Sequence, residues 1–200
     1  MSISNVFKIF AYISSVLSFE LLDYSNISTN EIIFYPCNTL SPILKNTFID
    51  AITDLNEYNI FDFQLKEQTY PIGANKINTI CNVDLRDGYG FTIHYPEYSN
   101  ETDIEISNTL LYYDTNLYNV IFHELLHSIG LHHTDEYGGM NYKLYTTNDN
   151  KIIRDNHKIY LSLDDFKGMK YIFSTLDKER NECKKNKIIK LLNDCFKENE

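Results

Sequence analysis

Residues 123–133 read His-Glu-Leu-Leu-His-Ser-Ile-Gly-Leu-His-His. On a helix, His123 and His127 lie one turn apart, so both imidazoles leave the same face. Zinc takes ligands about 2 Å away that converge on one point, and such a pair provides two of them. Glu124 sits beside His123, where its carboxylate can reach a water in the site. Gly130 can adopt positive φ, end the helix and turn the chain back. His133 then becomes the third ligand from outside the helix. A fourth coordination position stays open, which separates catalytic from structural zinc. His132 reads as a solvent- or loop-facing neighbour.

Seven residues beyond His133, Met140 stands in Gly138-Gly139-Met140-Asn141-Tyr142. A zinc helix followed by a methionine turn is the metzincin pattern. Residues 161–173, Leu-Ser-Leu-Asp-Asp-Phe-Lys-Gly-Met-Lys-Tyr-Ile-Phe, add a third element. They are similar to the last helix of matrixin (matrix metalloproteinase) catalytic domains. The chain therefore resembles a metzincin zinc endopeptidase, most closely a matrixin, over residues 31–175. The resemblance implies an α+β, zincin-like catalytic domain: a twisted mixed sheet with helices, a zinc helix and a Met-turn. It implies Zn2+ held by His123, His127 and His133, and Glu124 as general base. Met140 would form the apolar floor of the site. Tyr142, two residues after the methionine as in astacins and serralysins, is a candidate contact to the oxyanion or transition state. An astacin-like branch is the alternative, although Thr134 stands where astacins place glutamate. A silent zinc-binding interaction protein is a further alternative, which the intact Glu124 disfavours.

The sequence departs from the matrixin pattern in several places. Pro36-Cys37-Asn38 is the nearest fragment to an inhibitory cysteine switch and matches it poorly, and the usual prodomain is not expected. The resemblance also implies a structural zinc and bound calcium. No clear calcium site is legible. His94, in Phe-Thr-Ile-His-Tyr-Pro, stands where a structural-zinc histidine belongs, but its usual companions are not evident, so it reads as a strand histidine.

Composition bounds the rest. Two hundred residues, 43% hydrophobic and 23% charged, suit one globular catalytic domain. Eighteen basic against 28 acidic residues give a net charge of −10. That argues against a nucleic-acid partner, which needs a basic surface. Lys8, the short apolar run from Ile9 to Leu17 and Val16-Leu17-Ser18 read as a signal peptide over 1–18. The run is too short for a stable membrane anchor. The expectation is a secreted, monomeric hydrolase acting on extracellular protein or peptide substrates, with a catalytic domain over 19–175 and a helical tail over 176–200. Asn26-Ile27-Ser28 and Asn100-Glu101-Thr102 are glycosylation sequons.

Cys37, Cys81, Cys183 and Cys195 allow two disulfides in three pairings. On one unbroken helix, Cys183 and Cys195 stand about 18 Å apart, too far to bond. Each would then reach Cys37 or Cys81 and staple the tail to the domain. A break near Asn186 would permit a local bridge instead.

Along the chain, Ser41-Pro42 opens a helix, with Ile43, Thr47, Phe48, Ala51, Ile52 and Leu55 at helical spacing. Residues 60–66, 76–85, 91–95 and 104–106 read as strands, with a Gly88/Gly90 turn between the second and third. Asp114 or Thr115 caps the zinc helix. Ser162 and Asp165 form a capping box. The edge strand for substrate is expected at Phe91–Tyr95, and the selectivity pocket near 137–145.

Overall fold

A computed structural model describes residues 30–67, 78–85, 89–95, 101–112, 114–134, 138–141, 158–178 and 181. The leader read over 1–18, both sequons as whole motifs, Tyr142, Cys183, Cys195 and most of the tail lie outside the described residues.

Five strands form one mixed sheet in the order β2-β1-β3-β5-β4. They are β1 (Glu31–Pro36), β2 (Asp62–Leu65), β3 (Asn78–Val83), β4 (Gly90–Tyr95) and β5 (Glu101–Ser107). The β2-β1, β1-β3 and β3-β5 pairs are parallel, whereas β4 runs antiparallel to β5. A parallel pair needs a crossover, and helix α1 (Pro42–Asn56) supplies it between β1 and β2. Helix α2 (Asp114–Ser128) carries the histidine motif. A third helix, α3, spans residues 163–178.

Strand β1 is absent from the strands read in the sequence. Glu-Ile-Ile-Phe-Tyr-Pro puts Ile32, Phe34 and Pro36 in the core but keeps Ile33 and Tyr35 on the other face. An interior strand that is apolar on both faces shows no alternation. Strand β5 is longer than the three residues expected, because polar Glu101, Thr102 and Asp103 continue the pairing with β4. Gly90 lies inside β4, not in a turn. A side chain there would meet Val120 Cγ1 at 2.7 Å and Glu124 Cγ at 3.1 Å, so only glycine lets the strand sit this close to α2.

Ser41 caps α1, its hydroxyl accepting from the Leu44 amide at 3.2 Å, with Pro42 in the first turn. The buried stripe is Leu44, Phe48, Ala51, Ile52 and Leu55. Ile43 is half exposed, so the stripe starts one residue later than the sequence spacing indicated. Phe34 meets Phe48 edge to face at 5.3 Å, joining β1 to α1. The core continues through Ile80, Ile104, Leu117, Ile121 and Leu125 to Met169, Ile172 and Leu176 of α3. The Ser162 hydroxyl accepts from the Asp165 amide, and the Asp165 carboxylate accepts from the Ser162 amide.

Cys37 is bonded to Cys81 and ties the end of β1 to β3. The expectation that the tail cysteines reach this pair is therefore corrected. Cys37 directly follows β1 and Cys81 lies on the neighbouring β3, in the register where Tyr35 pairs with Thr79 and Pro36 with Ile80.

Candidate metal centre

Helix α2 is buried on nearly every side, since the sheet lies on one face and the chain after it folds over another. It ends as Gly130 reaches φ 95°. The Gly130 amide donates to His127 O at 2.8 Å and the Leu131 amide to Leu126 O at 3.2 Å. This paired closure is the Schellman arrangement, and it throws His133 back over the helix face that bears His123 and His127.

The three imidazoles meet. His123 Nε2 and His127 Nε2 each lie 3.1 Å from His133 Nε2. Their other nitrogens are fixed from behind: His123 Nδ1 lies 2.7 Å from Gly139 O, and His127 Nδ1 lies 2.7 Å from Leu131 O. A carbonyl only accepts, so each Nδ1 carries the hydrogen and each Nε2 presents a lone pair. A single proton on His133 satisfies one of these lone pairs and leaves the other facing nitrogen. The arrangement suits a cation. Two nitrogens bound at about 2.0–2.1 Å to a tetrahedral centre stand roughly 3.3–3.4 Å apart, close to the spacing found. The three residues form a group able to hold a metal ion.

Burial keeps this set neutral. It pushes His123 down to about 4, against an opposing effect of the Gly139 carbonyl and with a further lowering by His133. Burial and then the neighbouring His123 hold His127 well below its ordinary value. His133 is lowered by burial and by His132 beside it. Neutral imidazole is the ligand form. Glu124 moves the other way, raised to about 7 by burial, while the Thr92 hydroxyl bonded to it pulls it down. Thr92 Oγ1 donates to Glu124 Oε2 at 2.6 Å and lies 3.0 Å from Glu124 O.

Met140 is fully buried. Its turn is held at both ends. The Thr134 amide donates to Met140 O at 3.0 Å, and the Asn141 amide to Gly138 O at 3.3 Å. The backbone amides of Gly139 and Met140 also face the Asp165 carboxyl and favour its charged form, although burial has the larger, upward effect on its pKa. Sequence reasoning gave Asp165 only a capping role. Its second partner was hinted at by Gly138-Gly139, since paired glycines mark close approach. A side chain on Gly138 would lie 2.6 Å from Asp165 Oδ2.

His94 is engaged by the protein itself. Its Nε2 lies 3.0 Å from His127 O and its Nδ1 3.3 Å from the Thr102 hydroxyl. The carbonyl fixes the hydrogen on Nε2 and leaves Nδ1 to accept from Thr102. Burial lowers its pKa, which the His127 carbonyl partly offsets. Cys37, in the fragment nearest to a cysteine switch, has its sulfur in the disulfide.

The matrixin family pattern matches residues 53–174, more than half of the chain. The chain belongs to the matrixin family. It is a zinc metalloendopeptidase, a hydrolase of peptide bonds. The matrixin assignment replaces the astacin-like alternative. A search of curated proteins returns no match. Among solved structures, this matrixin is similar to high choriolytic enzyme 1, a hatching enzyme zinc-protease from the medaka fish Oryzias latipes. That match has 14% identity and a TM-score of 0.47, covering 80% of this chain and 96% of the other. It is also similar to archaemetzincin from Methanopyrus kandleri, at 12% identity and a TM-score of 0.48, covering 74% and 98%.

Proposed function

We propose that this matrixin is a secreted endopeptidase of extracellular proteins in which His123, His127 and His133 hold the zinc and Glu124 is the general base. The observation that carries the ligand assignment is the convergence of three imidazole nitrogens, two of them with their tautomers set by Gly139 O and Leu131 O. When bound, zinc supplies a Lewis acid that polarises the scissile carbonyl and acidifies water.

The chain's own groups do the rest. Glu124 takes the proton of the attacking water on its carboxylate and passes it to the departing amine nitrogen. In the metal-free site, burial raises its pKa to about 7. Met140, buried in the turn that holds His123, supports the floor of the site. Tyr142 is assigned to the oxyanion from its sequence position two residues after Met140. The substrate lies extended along β4, an edge strand of the sheet whose outer backbone groups can pair with another chain.

Secretion is supported by the leader-like residues 1–18 and by the disulfide. The mature enzyme is read as a monomeric catalytic domain over 19–175 with a C-terminal tail. Among the described residues, no helix is long and apolar enough to cross a membrane.

Glu124→Gln keeps the shape of the side chain and removes the base. It should retain zinc and lose roughly 10²- to 10⁴-fold in kcat on a quenched peptide. Parent-like turnover by that variant, or undiminished hydrolysis in excess chelator, would refute the proposal.

A further inference from the structure

Strand β4 touches the proposed general base twice. Gly90 and Thr92 are two residues apart and so share the face of the strand turned to α2. Gly90 makes room for the stem of Glu124, since a side chain there would lie 3.1 Å from Glu124 Cγ. Thr92 reaches the head. Its single hydroxyl stands 2.6 Å from Glu124 Oε2 and 3.0 Å from the backbone oxygen of the same residue. A hydroxyl that bridges a side chain to its own backbone fixes the torsions between them.

We infer that Thr92 is a positioning residue for catalysis: its hydroxyl holds the Glu124 carboxylate in one rotamer beside the metal-binding histidines. This rests on the reading of Glu124 as the base. A glutamate has three side-chain torsions, and rotation about them would swing the carboxylate away from the water it must deprotonate. The neighbouring β4 residue on this face, His94, donates to His127 O at 3.0 Å. The strand is thereby registered against α2 one turn further on, which keeps Thr92 opposite Glu124. The proposed substrate strand and the proposed base thus share one support.

The test compares Thr92→Val, which replaces the hydroxyl with a methyl of similar size, with Thr92→Ser, which keeps it. The readouts are kcat and KM on one quenched peptide, bound zinc per chain, and the melting temperature of the zinc-free protein. Thr92→Val should lower kcat by roughly 10- to 100-fold, the worth of a hydrogen bond to a charged group. KM and zinc content should stay near the parent values, the zinc-free melting temperature should fall by only a few degrees as the buried carboxylate loses its donor, and Thr92→Ser should recover most of kcat. If Thr92→Val does not fold, Thr92→Ala carries the same comparison. Parent-like kcat in Thr92→Val would overturn the inference. So would equal losses in the Val and Ser variants with falling zinc content, which would mark Thr92 as packing alone. Glu124→Gln is run alongside. Loss of activity there with none in Thr92→Val defeats this inference only, whereas parent-like activity in Glu124→Gln defeats the general-base reading beneath it.

Discussion

His123 shows how a residue's neighbours decide its chemistry. Its Nδ1 is committed to Gly139 O, its ring is buried, and its pKa falls to about 4 from an ordinary 6.5. The linkage has a definite sign. On unfolding, His94, His123, His127 and His133 regain ordinary values and take up protons below about pH 6.5, whereas Glu124 and Asp165, raised in the fold, release theirs. Four depressed histidines oppose two raised carboxyls. The unfolded chain therefore binds more protons between about pH 4.5 and 6.5, and stability falls as pH falls through that window. The zinc-free protein should melt at a lower temperature at pH 5 than at pH 7. A melting temperature that rises on acidification would contradict this. The triad itself was legible in the sequence, because the i, i+4 pair and the Gly130 turn are local features. Thr92 was not, because it is more than 30 residues from Glu124 and meets it only through the packing of β4 on α2.

Elements carry the second level of organisation. Helix α3 begins with a capping box, and the same Asp165 faces the backbone amides of Gly139 and Met140. Gly139 in turn accepts from His123. A chain of contacts thus runs from the start of α3 through the methionine turn to a proposed ligand. Asp165→Ala should cost about 1–3 kcal/mol through the amides it leaves without their acceptor. Zinc affinity should fall by roughly 10- to 100-fold, as for loss of other groups that orient ligands. A chelator competition titration measures the second effect; unchanged affinity would show that the turn keeps its place without Asp165. The capping box was readable from Ser162 and Asp165. The contact to the turn was not, since sequence spacing does not bring the start of α3 to the Gly-Gly pair.

At the scale of the whole molecule, the disulfide and the sheet order matter most. Cys37 and Cys81 are 44 residues apart and close a loop that contains α1 and β2. Removing the bond by Cys37→Ser with Cys81→Ser should cost about 2–4 kcal/mol, mainly by freeing the unfolded chain. Denaturant unfolding measures it, and an unchanged midpoint would show that the sheet alone holds these strands. The sequence left three pairings open, because pairing depends on which strands become neighbours. It read β2 through its alternation and missed β1, whose two apolar faces hide the period of two.

The sequence by itself determined the family and the metal chemistry. His123, Glu124, His127, Gly130 and His133 fall within one helix and its closing turn, where the geometry follows from backbone periodicity. Tertiary structure alone decided what supports that motif: the Gly139 carbonyl behind His123, the Thr92 hydroxyl on Glu124, Asp165 beneath the methionine turn, and the partner of Cys37. Each of these joins residues distant in sequence. Their positions depend on sheet order and on side-chain volumes in the core, and no local repeat encodes either.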